Sequence, residues 1–142
     1  MDTPETTSYL ALTLATVPNY LAFLATMLVL LVAFTGLHNL VTPYRELALI
    51  RQGNKAAAVS QAGVVLGFAV ALSEIASGSH MLIDLALWGV IALATQLLVY
   101  FLVSRLIGDF HKGIEEDRLS YGILLGGCQL AAGVLNAGAL TA

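Results

Sequence analysis

Four long apolar stretches alternate with short polar ones along this chain. The first runs from about Tyr20 to Leu40, the second from Lys55 to Ile75, the third from Ile83 to Leu106 and the fourth from Leu119 to Thr141. Each has the roughly 20 mainly apolar residues that a helix needs to cross the hydrocarbon of a bilayer. No charge interrupts the middle of any of them, so none reads as a helix with one face in water. Pro18 fits the first turn of the first span, where a missing N–H is harmless.

The polar stretches are as informative as the apolar ones. TPYRELALIRQGN, Thr42 to Asn54, and GDFHKGIEEDRLS, Gly108 to Ser120, gather most of the charge into two elbows, placed at 42–54 and 107–118. All six basic residues lie there or at the edges: Arg45, Arg51, Lys55, Arg105, Lys112 and Arg118. The other side carries Asp2, Glu5, Glu74 and Asp84. Basic residues in short loops stay on the cytoplasmic side. The expected topology therefore has both elbows inside, and both termini and the Ser77–Leu82 turn outside. Within the first elbow, Leu47, Leu49 and Ile50 predict a short helix on the membrane surface, ending near Gly53 or Asn54.

Overlaying the elbows with a shift of 64 positions pairs Ile50 with Ile114, Ala58 with Gly122, Val59 with Ile123 and Gly63 with Gly127. This predicts two copies of a two-helix hairpin, at about 18–77 and 82–141, within one integral membrane domain covering 1–142. Copies with an even number of spans are parallel, not inverted. The fold class expected is an all-α membrane protein of four transmembrane helices. Gly63-x-x-x-Gly67, Gly122-x-x-x-Gly126 and Gly133-x-x-x-Ala137 allow close helix approach in lipid. They would serve packing inside one subunit or a contact between subunits. Helix-period stripes such as Leu28, Leu31 and Phe34 read as lipid-facing.

Composition agrees with the pattern: 58% of residues are hydrophobic and 11% charged, against about 25% charged in soluble domains. An acidic N-terminus without a basic n-region is not a secretory signal, so the first span is expected to stay as an anchor. One cysteine, Cys128, says nothing of redox compartment and reads as a packing residue.

TPYRELALIRQGNKAAA, DLALWGVIALATQLL and GILLGGCQLAAGVLNAG resemble the YjfL-like bacterial inner-membrane family, the domain of unknown function 350. The resemblance covers about Tyr20 to Gly138 and implies a small, polytopic inner-membrane protein with repeated two-helix units. It implies no established activity. The family-like positions are Thr42, Pro43, Tyr44, Glu46, Gly53, Asn54, Asp84, Trp88, Gly89, Gln96 and Asn136. The chain departs from the pattern at Asp117–Arg118, where a Gly-Asn pair is expected, and at Glu74, where a small residue is expected.

Candidate chemistry lies in the polar residues of the spans. Glu74, His80 and Asp84 could converge across the outer turn as a proton or cation site, or be solvated among headgroups. Their spacing matches no zinc signature, so no metal is assigned; His80 could answer to external pH. Gln61, Gln96, Gln129 and Asn136 would bridge helices by hydrogen bonds or line a polar conduit. His38 reads as a satisfied histidine at the inner boundary, and Trp88 as an interface anchor. In the first elbow, Tyr44 and Glu46 would brace against Arg51. Alternatively Tyr44, Arg45, Glu46, Arg51 and Asn54 would meet a cytosolic partner or anionic headgroups.

No phosphate-cradling loop, His-Glu-x-x-His, Gly-x-Ser-x-Gly or cysteine pair is present. No catalytic residue or cofactor is therefore assigned, and an Asp84–His80 acid–base pair is the enzymatic alternative. Nucleic acid is not an expected partner. The sequence favours a non-catalytic inner-membrane component that oligomerises or docks an envelope or cytosolic protein. The alternative is a cation or solute channel or transporter built from several copies.

Overall fold

The computed structural model describes residues 4–141, with side chains from residue 8. Asp2 of the expected outer charges lies outside them. The described residues form six helices and no strand: α1 Pro4–Val41, α2 Glu46–Arg51, α3 Lys55–Gly78, α4 Leu82–Leu106, α5 Phe110–Glu115 and α6 Leu119–Leu140. Four of them, α1, α3, α4 and α6, are long and apolar enough to span a membrane.

The first span differs from expectation. α1 is 38 residues long, and Pro18 sits inside it instead of at its start. At 1.5 Å per residue such a helix reaches about 57 Å, nearly twice the hydrocarbon thickness. From Tyr9 to Val17 it is mainly apolar, and Thr13 and Thr16 hide their hydroxyls on the backbone. Thr13 Oγ1 donates to the Tyr9 carbonyl at 3.0 Å and Thr16 Oγ1 to the Thr13 carbonyl at 2.7 Å. A sequence that satisfies its polar groups within the helix does not have to stop at a proline, whose loss of one hydrogen bond is tolerated in long apolar helices. α1 is held from Phe23 onward. Phe34 is buried, its ring edge-on to Phe68 at 4.6 Å, and Leu31 is half-buried beside the same cluster. Of the expected lipid-facing stripe, only Leu28 faces out.

The centre of the molecule is the contact of α3 with α6. Both helices leave the elbow side and run in the same direction, with Gly122 against Ala56, Gly126 against Gly63, and Gly133 against Gly67. A Cβ added at Gly63, Gly122 or Gly133 would collide with the opposite backbone. In lipid, close backbone approach replaces the hydrophobic effect as the source of helix association. The small-residue motifs are therefore used inside this chain, and the reading of them as a contact between subunits is not needed to explain them.

The elbows are joined to each other. Gly53 holds φ +88, a left-handed turn that glycine adopts without strain, and Asn54 then caps α3 by accepting from Ala57 N at 2.7 Å. The other end of the Asn54 amide donates to the Ile114 carbonyl at 2.7 Å, at the end of α5. Asp117, also left-handed at φ 58, accepts from Lys55 N at 2.6 Å and Ala56 N at 2.8 Å. The second elbow thus supplies part of the cap of the first elbow's helix. What reads in sequence as a departure from the family's Gly-Asn pair is, in space, a cross-link between elbows. Asn54→Ala should destabilise the folded chain by about 1–2 kcal/mol and Asp117→Ala by about 1 kcal/mol, the usual range for lost caps. Denaturant unfolding of the detergent-purified variants measures both, and less than a few tenths of a kcal/mol at Asn54 would contradict the cross-link.

Candidate functional site

The buried interior has two unlike halves. Away from the elbows it is apolar: Phe34, Phe68, Ala71, Leu72, Ile75, Leu85 and Ala92 form one cluster. Toward the elbows a second apolar cluster, with Val103, Phe110, Ile114 and Leu125, is joined by polar side chains. His38, Glu46, Ser60, Gln61, Gln96 and Gln129 are all buried there, with the aromatic rings of Tyr44 and Tyr100.

Helical spacing explains how these side chains come inward. Gln129 lies on the stripe Gly122, Gly126, Gly133, and Ser60 on the stripe Ala56, Gly63, Gly67, so each falls where α3 meets α6. Gln96 and Tyr100 are four apart on α4 and share its buried face. Gln129 Nε2 donates to the Gln96 carbonyl at 3.0 Å, and Gln96 Nε2 donates to the Gln129 carbonyl at 3.3 Å. This reciprocal pair ties α4 to α6. Gln129 Nε2 also approaches His38 Nε2 of α1 at 3.5 Å. The His38 ring stands edge-on to Tyr100 at 5.3 Å, and the Tyr100 hydroxyl lies 2.8 Å from His111 Nε2 of α5. His111 is half-buried and leads to the elbow surface; its ring is 5.7 Å from that of Tyr44.

Glu46 is the unusual member. It is 1% exposed, and among the described residues it is the one buried carboxylate. Neither of its oxygens has a hydrogen-bond partner among the described residues, nor does the Tyr44 hydroxyl or Ser60 Oγ. Burial pushes the Glu46 carboxyl up to about 7, a rise that the neighbouring Tyr44 hydroxyl partly opposes. Burial and, next, the Glu46 charge push the Tyr44 phenol well above its ordinary range. Tyr44 is thus near enough to influence Glu46 while falling short of hydrogen-bond geometry.

Several expected arrangements are absent. Glu46 does not brace against Arg51: it turns inward while Arg51 is exposed, and both ion pairs among the described residues are made by Glu116. His38 lies in the last turn of α1, as expected, but it is buried against α4 and α6, and its Nδ1 has no partner among the described residues. Glu74, His80 and Asp84 do not converge, and no cluster of three metal-ligating side chains occurs among the described residues. The Ser77 hydroxyl instead donates to the Glu74 carbonyl at 2.8 Å, and His80 is exposed. Asp84 stays in the first turn of α4, where a negative charge suits the helix dipole. Asn136 is half-buried and makes no side-chain hydrogen bond within the described residues, so it joins neither Gln96 nor Gln129. Trp88 is 47% exposed. The residues that sequence reasoning did not assemble are His38, Tyr44, Ser60, Tyr100 and His111 around Glu46. On the surface beside this cluster an open groove of about 440 Å³ is lined by Asn39, Arg45, Glu46, Leu47, Ala48 and Arg51.

Residues 11–140 match the family model described as Domain of Unknown Function (DUF350). The chain is 32% identical over 112 residues to the UPF0719 inner membrane protein YjfL of Escherichia coli (strain K12), covering 79% of this chain and 85% of that one. It is 30% identical over 105 residues to the UPF0719 transmembrane protein YshE of Bacillus subtilis (strain 168), covering 72% and 78%. No solved structure matches.

Proposed function

The chain belongs to the DUF350 family and is a multi-pass protein of the bacterial inner membrane, and from that premise we propose that it is a non-catalytic component that assembles with other copies and offers its joined elbows to a partner. The observation that carries this reading is the division of the interior. A conduit through one chain needs polar groups along its whole length. Here the polar side chains stop at Gln96, and Phe34, Phe68, Leu72 and Leu85 fill the space beyond. The buried polar cluster ends at this apolar packing and does not continue through the chain.

Three further features support it. The hydrogen bonds of Asn54 and Asp117 make the elbows one surface, with Arg45, Arg51, Lys55, Lys112 and Arg118 exposed upon it. By the positive-inside rule that surface faces the cytoplasm, where a protein partner or anionic headgroups would meet it. α1 is scarcely covered, with 6% of its most apolar window buried against 56% for α3, which leaves a long face for another copy. Finally, α5 starts as far after α2 as α6 starts after α3, 64 positions in both cases, which favours two parallel hairpin repeats.

Native mass spectrometry from mild detergent, paired with ion flux into proteoliposomes, tests the proposal. A defined assembly of several copies with no flux above empty vesicles is expected. A lone monomer would remove the oligomer. Flux that disappears with Gln96→Leu or Asp84→Asn would instead establish a pore shared between copies.

A further inference from the structure

We propose that the Glu46 carboxyl is a proton-binding site, buried in the first elbow and reached from the elbow surface at the groove that it lines with Asn39, Arg45 and Arg51. The argument is geometric. An ionised carboxylate presents about four lone-pair sites and is held inside proteins by donors or a cation. Among the described residues Glu46 has neither: both oxygens lack a donor, and the exposed Arg45 and Arg51 do not pair with it. A neutral carboxyl has a different requirement. It carries its own O–H, which the unpartnered Tyr44 oxygen beside it can accept.

The surroundings suit a proton better than a metal ion. α1 contributes His38, the segment after it Tyr44, α3 Ser60, α4 Tyr100 and α5 His111. On the inner side the titratable groups nearest Glu46 are Tyr44 and Tyr100, with His38 and His111 against those rings; on the groove side Arg45 and Arg51 line the same space without pairing with it; α3 presents no buried charged group. One carboxylate with two phenols and a hydroxyl is a poor metal site but an ordinary proton site. The site's elevated proton affinity follows from the same burial. The step is an acid–base equilibrium: one O–H bond forms at a carboxylate oxygen of Glu46, one breaks at a hydronium ion or buffer acid at the elbow surface, and nothing is oxidised or reduced.

Infrared difference spectra of the intact chain in mild detergent, recorded from about pH 5 to about pH 9, test this. The wild-type spectrum minus that of Glu46→Gln should contain a protonated-carboxyl C=O band that disappears as pH rises through about 7. The band's midpoint should not respond to exchanging sodium or potassium for choline at constant ionic strength. A difference spectrum showing only ionised carboxylate above about pH 6 would overturn the proposal, as would a midpoint that follows the sodium or potassium concentration. If Glu46→Gln does not fold, Glu46→Asp takes its place. Shortening the side chain must then shift the frequency or midpoint of the band, and an unmoved band would assign it to another group.

Discussion

Gly133→Ala should destabilise the bundle by about 2–3 kcal/mol, while Gly127→Ala, six residues earlier on the same helix, should be neutral or stabilise by up to about 1 kcal/mol. The chemical change is identical, so the difference isolates packing. At Gly133 a new methyl meets the backbone of Gly67, and backbone cannot rotate away as a long side chain can. The helices must separate, and the loss extends to their neighbours at Gly63–Gly126 and Ala56–Gly122. At Gly127 a methyl meets nothing within 4 Å, and alanine is the better helix former. Thermal unfolding in one detergent, with both variants side by side, is the measurement. Equal effects at the two positions would mean that α3 and α6 do not touch along this stripe. A second consequence concerns the reciprocal amides. Because Gln96 and Gln129 are placed by the same close approach, Gly133→Ala should also weaken their hydrogen bonds and couple non-additively with Gln129→Leu.

Much of this architecture is legible in sequence because lipid admits few solutions. A backbone crossing hydrocarbon must satisfy itself, so runs of some 20 apolar residues can only be helices. α3, α4 and α6 accordingly begin within a residue of where the pattern puts them. The glycine stripes were legible as close contacts, although not which helix each would meet. The start of α1 was not legible. Residues 8–17 are apolar with interspersed threonine, and a sequence cannot reveal that those hydroxyls return to their own helix. α5 is less legible for a different reason: His111, Lys112 and Glu115 are polar, and Phe110 and Ile114, four apart and both buried, mark its inward face.

The polar cluster was the hardest to foresee. Charge in an elbow reads as surface, and Glu46 stands beside Arg45, four residues from Ile50. Its burial depends on α2 packing on α3 and on the second elbow closing over the first, contacts between residues some 60 positions apart. The signal that was available lies in the helical registers. Gln129 and Ser60 fall on small-residue stripes, where a polar group must be buried if the stripe is a contact. Tyr100 follows Gln96 by one turn. Those three positions already locate a polar interior on the elbow side. By contrast, Glu74, His80 and Asp84 are near in sequence but separated by a turn that leaves His80 exposed. Proximity along the chain was the weaker guide.

Stability should therefore depend on pH through Glu46, with a sign that is unusual for a carboxylate. In the folded chain burial raises the group to about 7, against 4.5 for its ordinary value. The folded state then holds a proton that the unfolded state has released whenever the pH lies between the two. Stability contributed by this group is complete below about 4.5, declines above it, and is gone once the pH has risen through about 7. The gap between the two values corresponds to at most about 3 kcal/mol. Most soluble proteins gain stability over this range, because their carboxylates are paired in the folded state. Glu46→Gln keeps the shape of the neutral acid and cannot ionise. It should remove the slope and leave the chain about as stable as the wild type at pH 5 and more stable at pH 8, and denaturant midpoints in mild detergent across that range decide it. A slope unchanged by the substitution would place the responsible group elsewhere. A slope that is lost would show that ionising one side chain loosens the first elbow. The charge would then be left inside the packing of Tyr44, Ser60 and Tyr100, and the elbow could relieve it only by turning Glu46 out toward the groove that Arg45 and Arg51 line.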